Sequence, residues 1–449
     1  MSQVLSQTKT ISSPPKHWEE INAFGKQFNT YFQSGHTTEL IQFLESFSIK
    51  YPLHRDLIKQ AYIQTNQLGL SSLANECARI YTETCSALSK IGNTQFGLPT
   101  IFEFNYLYEL GSELIEQAAF TKILLDLEIL TIKPVLCLNS LQKDPFLKAF
   151  SPYLEECVEI ISEDPNAKIA ITEISRFSPY VPMFYKFSET QYGHNSNFII
   201  DCHNNLFSRD IELYPFSVKD ITTEKAKSFL GSFGLSEQDE FVVFYLREEG
   251  YFEVTDSNKK IFHPEEFYDS ISYFLRQGLK VVRLGDSKMS SMAKQPGFID
   301  LTNVERPYEV DIFLCGKAKL YFGSGSGPIS LAKNFGVPCC EIARINYAGT
   351  TPNSFSQYLI FEDTKTKSEL TFSDMNSLSL NSNLSLQPFL ARSLNPRFPN
   401  SIDNLLFARE SMDYINGGKM FKLNKNYKSQ RATFNIAGGV SSSSLPFLK

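Results

Sequence analysis

Hydrophobic positions recur at helical spacing from Trp18 to about Leu88, and this pattern predicts four helices in that segment. Gly35 and Gly69 lie in similar settings, "YFQSGHTTEL" and "TNQLGLSSLA", one tetratricopeptide period of about 34 residues apart. The remaining signature of that repeat is weak in this segment. Two interpretations therefore stay open: tetratricopeptide-like helical hairpins, or a plain helical cap on the next domain.

From residue 100 the pattern changes to short apolar runs that alternate with helical stretches. "TIFEFNYLY" and "KPVLCLN" predict strands on either side of the helical run "LIEQAAFTKILLDLEIL". "ECVEIIS" and "NFIID" predict two further short strands. Strands separated by helices are typical of a parallel α/β sheet.

A second and clearer alternation follows the helical stretch "TTEKAKSFLGSFGLSEQDE". "FVVFYL", "LKVVRL", "KLYFG" and "VPCCEIA" predict buried strands, and "HPEEFYDSISYFLRQG", "YEVDIFLCGKA" and "PISLAKNFG" predict the helices between them. Pro264 suits the first turn of its helix and Gly278 suits the end. The repeated strand–helix order predicts a doubly wound parallel sheet.

Together these patterns predict six consecutive parts of the chain. They are a disordered lead at 1–16, a helical segment at 17–95, an N-terminal α/β domain at 96–220, a C-terminal α/β domain at 221–400, a helix at 401–417 and a disordered tail at 418–449. The tail is expected to be disordered because it is basic, polar and rich in Ser and Gly, with little to bury.

Composition narrows the class of protein. The chain has 449 residues, 42% hydrophobic and 20% charged, with a formal net charge of −6, which is typical of a globular protein of more than one domain and argues against nucleic-acid binding. No secretory leader and no apolar run long enough to span a membrane is evident, so we expect a cytoplasmic protein. The eight cysteines include no C-x-x-C pair and are expected to be buried thiols.

Candidate chemistry follows three of the predicted strands. "FVVFYL" leads to Arg247, "LKVVRL" contains Arg283 and leads to Gly285 and Asp286, and "KLYF" leads to Gly323–Gly327. Because parallel strands end at one edge of a sheet, where ligands bind in such folds, we expect these residues to lie close together.

The loop "GSGSGP" opens a helix, and its composition favours an anion site. Glycine lets an anion approach the free amides of a helix N-terminus, and a serine hydroxyl adds a donor. The sequence therefore predicts that Gly323, Ser324, Gly325, Ser326 and Gly327 hold a phosphate or diphosphate, with Arg247 as a charged partner. The alternative is a tight turn without a ligand. The loop lacks the Lys of a P-loop and the third Gly of a dinucleotide fingerprint.

Beyond these residue-level arguments, the motifs "FVVFYLREEGY", "LKVVRLGDSKM" and "DIFLCGKAKLYFGSGSGPISLAKNFGVP" resemble a family of bacterial glycosyltransferases. That family is distantly similar to heptosyltransferases and O-fucosyltransferase-like enzymes of GT-B architecture. The resemblance is good over 220–345, loose over 100–220 and missing before residue 95. It implies two Rossmann-like domains, a nucleotide-diphosphate sugar bound by the C-terminal one, an acceptor between them and no further cofactor.

Two departures from the family pattern concern its chemistry. Relatives often carry His–x–Arg–Asp at the end of the first strand, where this chain has Tyr245-Leu246-Arg247-Glu248. The first turn of the N-terminal α/β domain reads "YELGSE" instead of a Gly–x–Gly–His type. The resemblance therefore carries the phosphate role to Arg247 and leaves the acceptor side undefined.

Inverting sugar transfer needs a base for the acceptor proton and cationic or amide groups for the leaving diphosphate. The candidates for the base are Glu109, Glu113, Asp201 and His203. No Asp-x-Asp occurs, and the six histidines show no metal-ligand spacing beyond His194 and His203, so we expect transfer without a metal ion.

The leading hypothesis is a transferase of polysaccharide biosynthesis that acts on a surface-glycan or protein acceptor. It would work in the cytoplasm or at the inner face of the membrane, and its N-terminal helices could bind a protein partner. One alternative is a non-catalytic binding protein with a degenerate transferase domain. Another is an enzyme of similar architecture that transfers a different group, such as pyruvate, to a polysaccharide.

Overall fold

The computed structural model describes residues 17–91, 101–102, 112–126, 128, 133, 135–137, 145–161, 184–186, 192–194, 214–236, 238–248, 262–345, 354–378, 386–417 and 439–442. The chain divides into two compact units. The first contains residues 1–105, 130–140 and 157–198, and the second contains 106–129, 141–156 and 199–449. The two units thus interleave along the chain between residues 105 and 199.

Four helices open the first unit: α1 (His17–Gln33), α2 (Thr37–Lys50), α3 (Arg55–Gln67) and α4 (Ser71–Ile91), with a 3-10 turn at Pro52–His54 between α2 and α3. The predicted N-terminal helical segment is confirmed. Its tetratricopeptide-like character stays a prediction. Aromatic packing holds the first two helices together, since the ring centroids of Phe24 and Phe47 lie 4.5 Å apart.

The two glycines that suggested a repeat occupy equivalent turns. Gly35 follows α1 with φ of 70°, and Gly69 follows α3 with φ of 68°, a left-handed conformation that favours glycine. After each glycine, the next amide donates a hydrogen bond to the carbonyl five positions earlier, at 3.1 Å and 2.9 Å. This is the Schellman arrangement of a helix C-terminus, and it closes both helical hairpins in the same way.

Short strands complete the first unit. Its parallel sheet has the order β1 (Ile101–Phe102), β2 (Val135–Cys137), β3 (Glu159–Ile161). A separate antiparallel pair joins β4 (Phe184–Lys186) to β5 (Tyr192–His194). The predicted strands at "TIFEFNYLY", "KPVLCLN" and "ECVEIIS" are therefore present, whereas "NFIID" lies outside the described residues.

A seven-stranded sheet forms the centre of the second unit. Its strands are β6 (Phe241–Tyr245), β7 (Lys280–Arg283), β8 (Phe298–Asp300), β9 (Leu320–Ser324), β10 (Cys339–Arg344), β11 (Ser354–Tyr358) and β14 (Gly439–Val440). The order is β14-β11-β10-β9-β6-β7-β8, and every neighbouring pair is parallel. The continuous apolar runs of β6 and β9 are buried throughout, as a sheet covered on both faces requires. A small antiparallel pair is made by β12 (Ile360–Asp363) and β13 (Leu394–Arg397).

The helices of the second unit are α5 (Ser112–Asp126), α6 (Pro145–Cys157), α7 (Asp220–Gly231), α8 (Tyr268–Arg276), α9 (Tyr308–Lys317), α10 (Gly327–Asn334), α11 (Phe372–Ser377), α12 (Gln387–Leu390) and α13 (Ser401–Ile415). Phe267, Ile271 and Phe274 form the buried face of the α8 region. Six of the cysteines are buried free thiols, in agreement with the sequence-based expectation: Cys77, Cys85, Cys157, Cys315, Cys339 and Cys340. The predicted α/β fold is confirmed by the two parallel sheets, one in each unit.

The last described residues differ from the sequence-based expectation of a disordered tail. Strand β14 extends the sheet beside β11, pairing Gly439 with Phe355. Ser441 Oγ then donates a hydrogen bond of 2.6 Å to the buried carboxylate of Glu410, and the Ser442 amide donates to the same carboxylate at 3.1 Å. Polar Ser and Gly residues do not predict a strand, but a sheet edge and a buried acceptor hold these four in place.

Candidate functional site

The carboxyl edge of the large sheet brings the predicted site segments together. Strand β6 lies between β9 and β7, with Tyr245 paired to Gly323 and Phe244 paired to Arg283. The segments that begin at Leu246, Leu284 and Gly325 therefore leave neighbouring strands at one edge, where open parallel sheets bind ligands.

Gly323 is required by the sheet itself. A Cβ atom at this position would lie 2.1 Å from the carbonyl oxygen of Tyr245, on the adjacent strand. The next residue, Ser324, is buried, and its Oγ accepts a hydrogen bond of 2.9 Å from the Arg247 amide. The first half of the glycine and serine run therefore joins β9 closely to the end of β6.

The second half of the run forms the N-terminus of α10. Ser326 is the N-cap residue in an extended conformation, its side chain caps none of the helix amides, and proline occupies the first turn. The first amides of a helix have no acceptor within the helix and carry the positive end of its dipole. Gly325, Ser326 and Gly327 thus present backbone donors suited to an anion.

A carboxylate lies against this loop. Oε1 of Glu341, on β10, is 2.6 Å from the point where a Cβ atom of residue 325 would be. The other oxygen, Oε2, accepts a hydrogen bond from Nη1 of Arg344, and both side chains are buried. Burial by itself would lower the pKa of the Arg344 guanidinium, but the charge of Glu341 acts in the opposite direction and the net shift is upward. The absence of a side chain at Gly325 therefore makes room for a fixed acidic group.

Arg247 starts from a well-defined backbone position. Its amide donates to Ser324 Oγ at 2.9 Å, and its carbonyl accepts a hydrogen bond of 3.1 Å from the Phe262 amide. The residue is half-buried at the carboxyl edge beside the loop. These two bonds hold the Arg247 backbone beside the loop that opens α10.

Arg283 has a different environment from the one that the sequence suggested. Its guanidinium is fully buried and ion-paired with Glu248 and with Asp300, the latter at 2.8 Å. Glu248 also accepts hydrogen bonds from Ser290, from Oγ at 2.6 Å and from the amide at 3.1 Å. Asp300 accepts from Thr302 Oγ1 at 2.8 Å. In this conformation Arg283 links the ends of three strands and offers its charge to two internal carboxylates.

Gly285 and Asp286 form the turn after β7. A Cβ atom at Gly285 would lie 2.4 Å from Met289 Sδ, and its carbonyl accepts a hydrogen bond of 3.0 Å from Nη2 of Arg306. The Asp286 carboxylate accepts from the Lys288 amide at 2.7 Å. The contacts of both residues in the structure are internal to the turn and its neighbours.

The candidate bases are not brought to this edge by any described contact. Glu109, Asp201 and His203 lie outside the described residues. Glu113 lies in the first turn of α5, but its side chain is outside the described part as well. The base therefore stays a prediction.

Sequence reasoning missed Glu116, which lies on α5 one turn beyond Glu113. Burial against α10 raises the pKa of the Glu116 carboxyl, while the charge of Lys333 and hydrogen bonds with Ser330 and Asn334 oppose the shift. Glutamate on a helix is usually solvated, so the sequence offers no signal for this environment.

The described residues contain neither a metal-ligand group nor a membrane-spanning helix. Among them, no group of three His, Cys, Asp or Glu side chains could hold a metal ion. None of the described helices is long and apolar enough to cross a bilayer.

No protein-family model and no curated protein sequence matches the chain. Among solved structures, a glycosyl transferase of family 9 from Veillonella parvula is 16% identical over 56% of this chain and 83% of its own, with a TM-score of 0.37. An iron-containing dodecameric glycosyltransferase from enterotoxigenic E. coli is 11% identical over 54% of this chain and 60% of its own, with a TM-score of 0.32. The E. coli ADP-heptose lps heptosyltransferase II is 12% identical over 57% and 68%, with a TM-score of 0.24. At these levels the fold assignment rests on the sheet topology of this chain.

Proposed function

We propose that the chain is a glycosyltransferase that takes a sugar from a nucleotide-diphosphate donor. The observation that carries the proposal is the meeting of two features at one sheet edge: the bare amides at the start of α10 and the backbone-fixed Arg247. An anion with two charged groups suits such a pair, because the amides and helix dipole bind one part and the guanidinium binds another. The sequence motifs that resemble a glycosyltransferase family add a family-level argument from the same residues.

In the proposed reaction, the acceptor hydroxyl gives its proton to a base while its oxygen forms a bond to the anomeric carbon of the donor sugar. The bond from that carbon to the phosphate oxygen breaks, and the nucleoside diphosphate leaves with the electron pair. The chain's contribution to that departure is electrostatic: the α10 amides and Arg247 would stabilise the developing negative charge. Glu109, Glu113, Asp201 and His203 are the candidates for the base, and the stereochemical course would be inversion.

A thermal-shift screen against UDP, GDP, ADP, CMP and the corresponding nucleotide sugars tests the proposal. A ligand at 100 times its dissociation constant should add about 2.7 kcal/mol to the free energy of unfolding. The sugar conjugate that binds is then incubated with glycan and protein acceptors, with and without EDTA, and released nucleotide is measured. Binding and EDTA-resistant release would support the proposal. Binding without release would favour the non-catalytic alternative, and no binding of any probe would refute the donor site.

A further inference from the structure

The end of strand β10 is built irregularly. Glu341 and Arg344 are three residues apart, so in a regular strand their side chains would point to opposite faces of the sheet. The pairing of β10 with β11 shifts register between these two residues, and Ala343 between them adopts φ of 47°. A bulge with a left-handed non-glycine residue costs energy, and such bulges often redirect a side chain beside a functional site. Here the bulge lets Glu341 and Arg344 form an ion pair within one strand.

This bulge fixes a carboxylate beside the loop. The register pairs Glu341 with Gly323, so its side chain starts from the strand next to the loop's own strand. Arg344 Nη1 donates to Oε2, while Oε1 lies against Gly325. Glu341 is 8% exposed and Arg344 is 6% exposed, so neither side chain can move away from the loop without uncovering a buried charge.

The loop therefore presents two kinds of group to a ligand, backbone amide donors and a carboxylate acceptor. The amides at the start of α10 favour an anion, whereas an ionised carboxylate only accepts hydrogen bonds and repels a second anion. A ligand that satisfies both groups must carry a phosphate and, close to it, a hydrogen-bond donor without charge. The hydroxyl groups of a sugar attached to a phosphate meet this requirement.

We propose that Glu341, held in place by Arg344, accepts a hydrogen bond from a sugar hydroxyl of the donor. Through this bond it selects either the sugar conjugate over the free nucleoside diphosphate, or the ribonucleotide over the deoxyribonucleotide. This assignment rests on the proposed function, because it places the donor on the α10 loop. The hydroxyl belongs either to the ribose of the nucleotide or to the sugar that is transferred. Both sources present the same group, and the probes below separate them.

The test compares three probes by titration calorimetry, using the nucleotide base that binds best to the wild-type protein. The probes are the nucleoside diphosphate, its 2′-deoxy form and its sugar conjugate. The variants are E341D, which keeps the ion pair but withdraws the carboxylate by one methylene, and E341Q/R344M, which removes both charges together. The double variant is needed because Glu341→Gln alone would leave Arg344 buried without its carboxylate. Melting curves exclude misfolded protein.

The expected result is selective. A hydrogen bond to a charged group corresponds to about 10- to 150-fold in affinity. Both variants should lose affinity in that range for the probe that carries the hydroxyl, and change by less than about threefold for the probe that lacks it. If only the sugar conjugate loses affinity, Glu341 binds a hydroxyl of the transferred sugar. If the nucleoside diphosphate and its sugar conjugate lose affinity but the 2′-deoxy form does not, Glu341 binds the ribose hydroxyl.

Equal losses for all three probes, or no loss for any, would overturn the role of Glu341 while leaving donor binding intact. If E341Q/R344M does not fold, E341D decides by the same comparison. Failure of all three probes to bind the wild-type protein would instead remove the proposed donor site, and the role of Glu341 with it.

Discussion

The amide of Arg247 donates a hydrogen bond of 2.9 Å to Oγ of Ser324, 77 positions further along the chain. This bond ties the second residue after β6 to the last residue of β9. It fixes the backbone of the candidate cationic residue relative to the loop that opens α10. Because the backbone that carries the Arg247 side chain is already fixed, ligand binding would cost less conformational entropy.

Replacing Arg247 with Ala should weaken nucleotide-diphosphate binding by about 10- to 150-fold, because a charge-assisted hydrogen bond is worth roughly 1.5–3 kcal/mol. Arg247→Lys should recover only part of the loss, since an ammonium group cannot form a planar bidentate pair. Titration calorimetry with the nucleotide identified by the thermal screen measures both changes.

Arg276→Ala is the matched control for Arg247. This residue is exposed and lies in the last turn of α8. A helix that follows β6 starts at the carboxyl edge of the sheet and ends near the opposite edge. Affinity should be unchanged in this variant. Equal losses from Arg276→Ala and Arg247→Ala would indicate a general charge effect instead of a contact.

Arg283→Met should lower the free energy of unfolding by about 3–5 kcal/mol, because it leaves the buried carboxylate of Glu248 and the partly buried carboxylate of Asp300 without their cation. Urea denaturation provides the measurement. Lys280→Met is the control on the same strand: its partner Asp239 is more exposed, so this variant should lose far less stability than Arg283→Met. Unchanged stability in Arg283→Met together with lost nucleotide binding would instead favour a ligand role.

Glu116→Gln should make the protein's stability less dependent on pH. Because burial raises the folded-state pKa of Glu116, the folded protein retains this proton after the unfolded chain has lost it at about pH 4.3. The contribution of this residue to stability is therefore greatest below that pH and declines as pH rises towards the folded-state pKa. Urea denaturation between pH 4 and 8 should give a flatter profile for Glu116→Gln than for the wild type.

A carboxylate on the same helix provides the comparison for Glu116. Asp126 is half-exposed and paired with Lys122 at the end of α5. Asp126→Asn should alter the pH profile less than Glu116→Gln does. Identical profiles for the wild type and Glu116→Gln would show that the buried environment of Glu116 does not affect folding.

Two glycines near α1 should respond to alanine with opposite signs. Gly35→Ala places a side chain at φ of 70° and should destabilise the protein by about 1–2 kcal/mol. Gly25 lies inside α1, where a Cβ atom would meet nothing within 4 Å, so Gly25→Ala should stabilise it by up to about 1 kcal/mol. Thermal unfolding followed by circular dichroism measures both. Two changes of the same sign would contradict the assigned turn.

The candidate site at the sheet edge could be predicted because each sequence pattern that indicates it is confined to a few adjacent residues. Continuous apolar runs such as "FVVFYL" indicate buried parallel strands, and parallel strands must end together. The Gly-rich loop and the start of α10 could be recognised from a few adjacent residues. The helical hairpins were also predictable, since the turns at Gly35 and Gly69 depend on backbone conformation alone.

The roles of individual site residues could not be predicted because their partners are distant in sequence. Arg283 meets Glu248 and Asp300 from 35 and 17 positions away. Gly323 is required by the carbonyl of Tyr245, which belongs to another strand. Glu341 reaches the loop from a neighbouring strand, and its ion pair with Arg344 depends on the bulge at Ala343, which leaves no hydrophobic pattern. Each of these contacts depends on strand register, which residue types alone do not specify.

Strand β14 is synthesised long after its partner β11, and this delay affects how the sheet is completed during translation. On the ribosome, β11 emerges well before its outer neighbour, Gly439–Val440. Until those residues appear, one side of β11 presents unpaired amides and carbonyls that could recruit another chain. The nascent protein is therefore open to misassembly at this edge between the emergence of β11 and that of Gly439–Val440. The serines that bind Glu410 would then close this interval by securing β14.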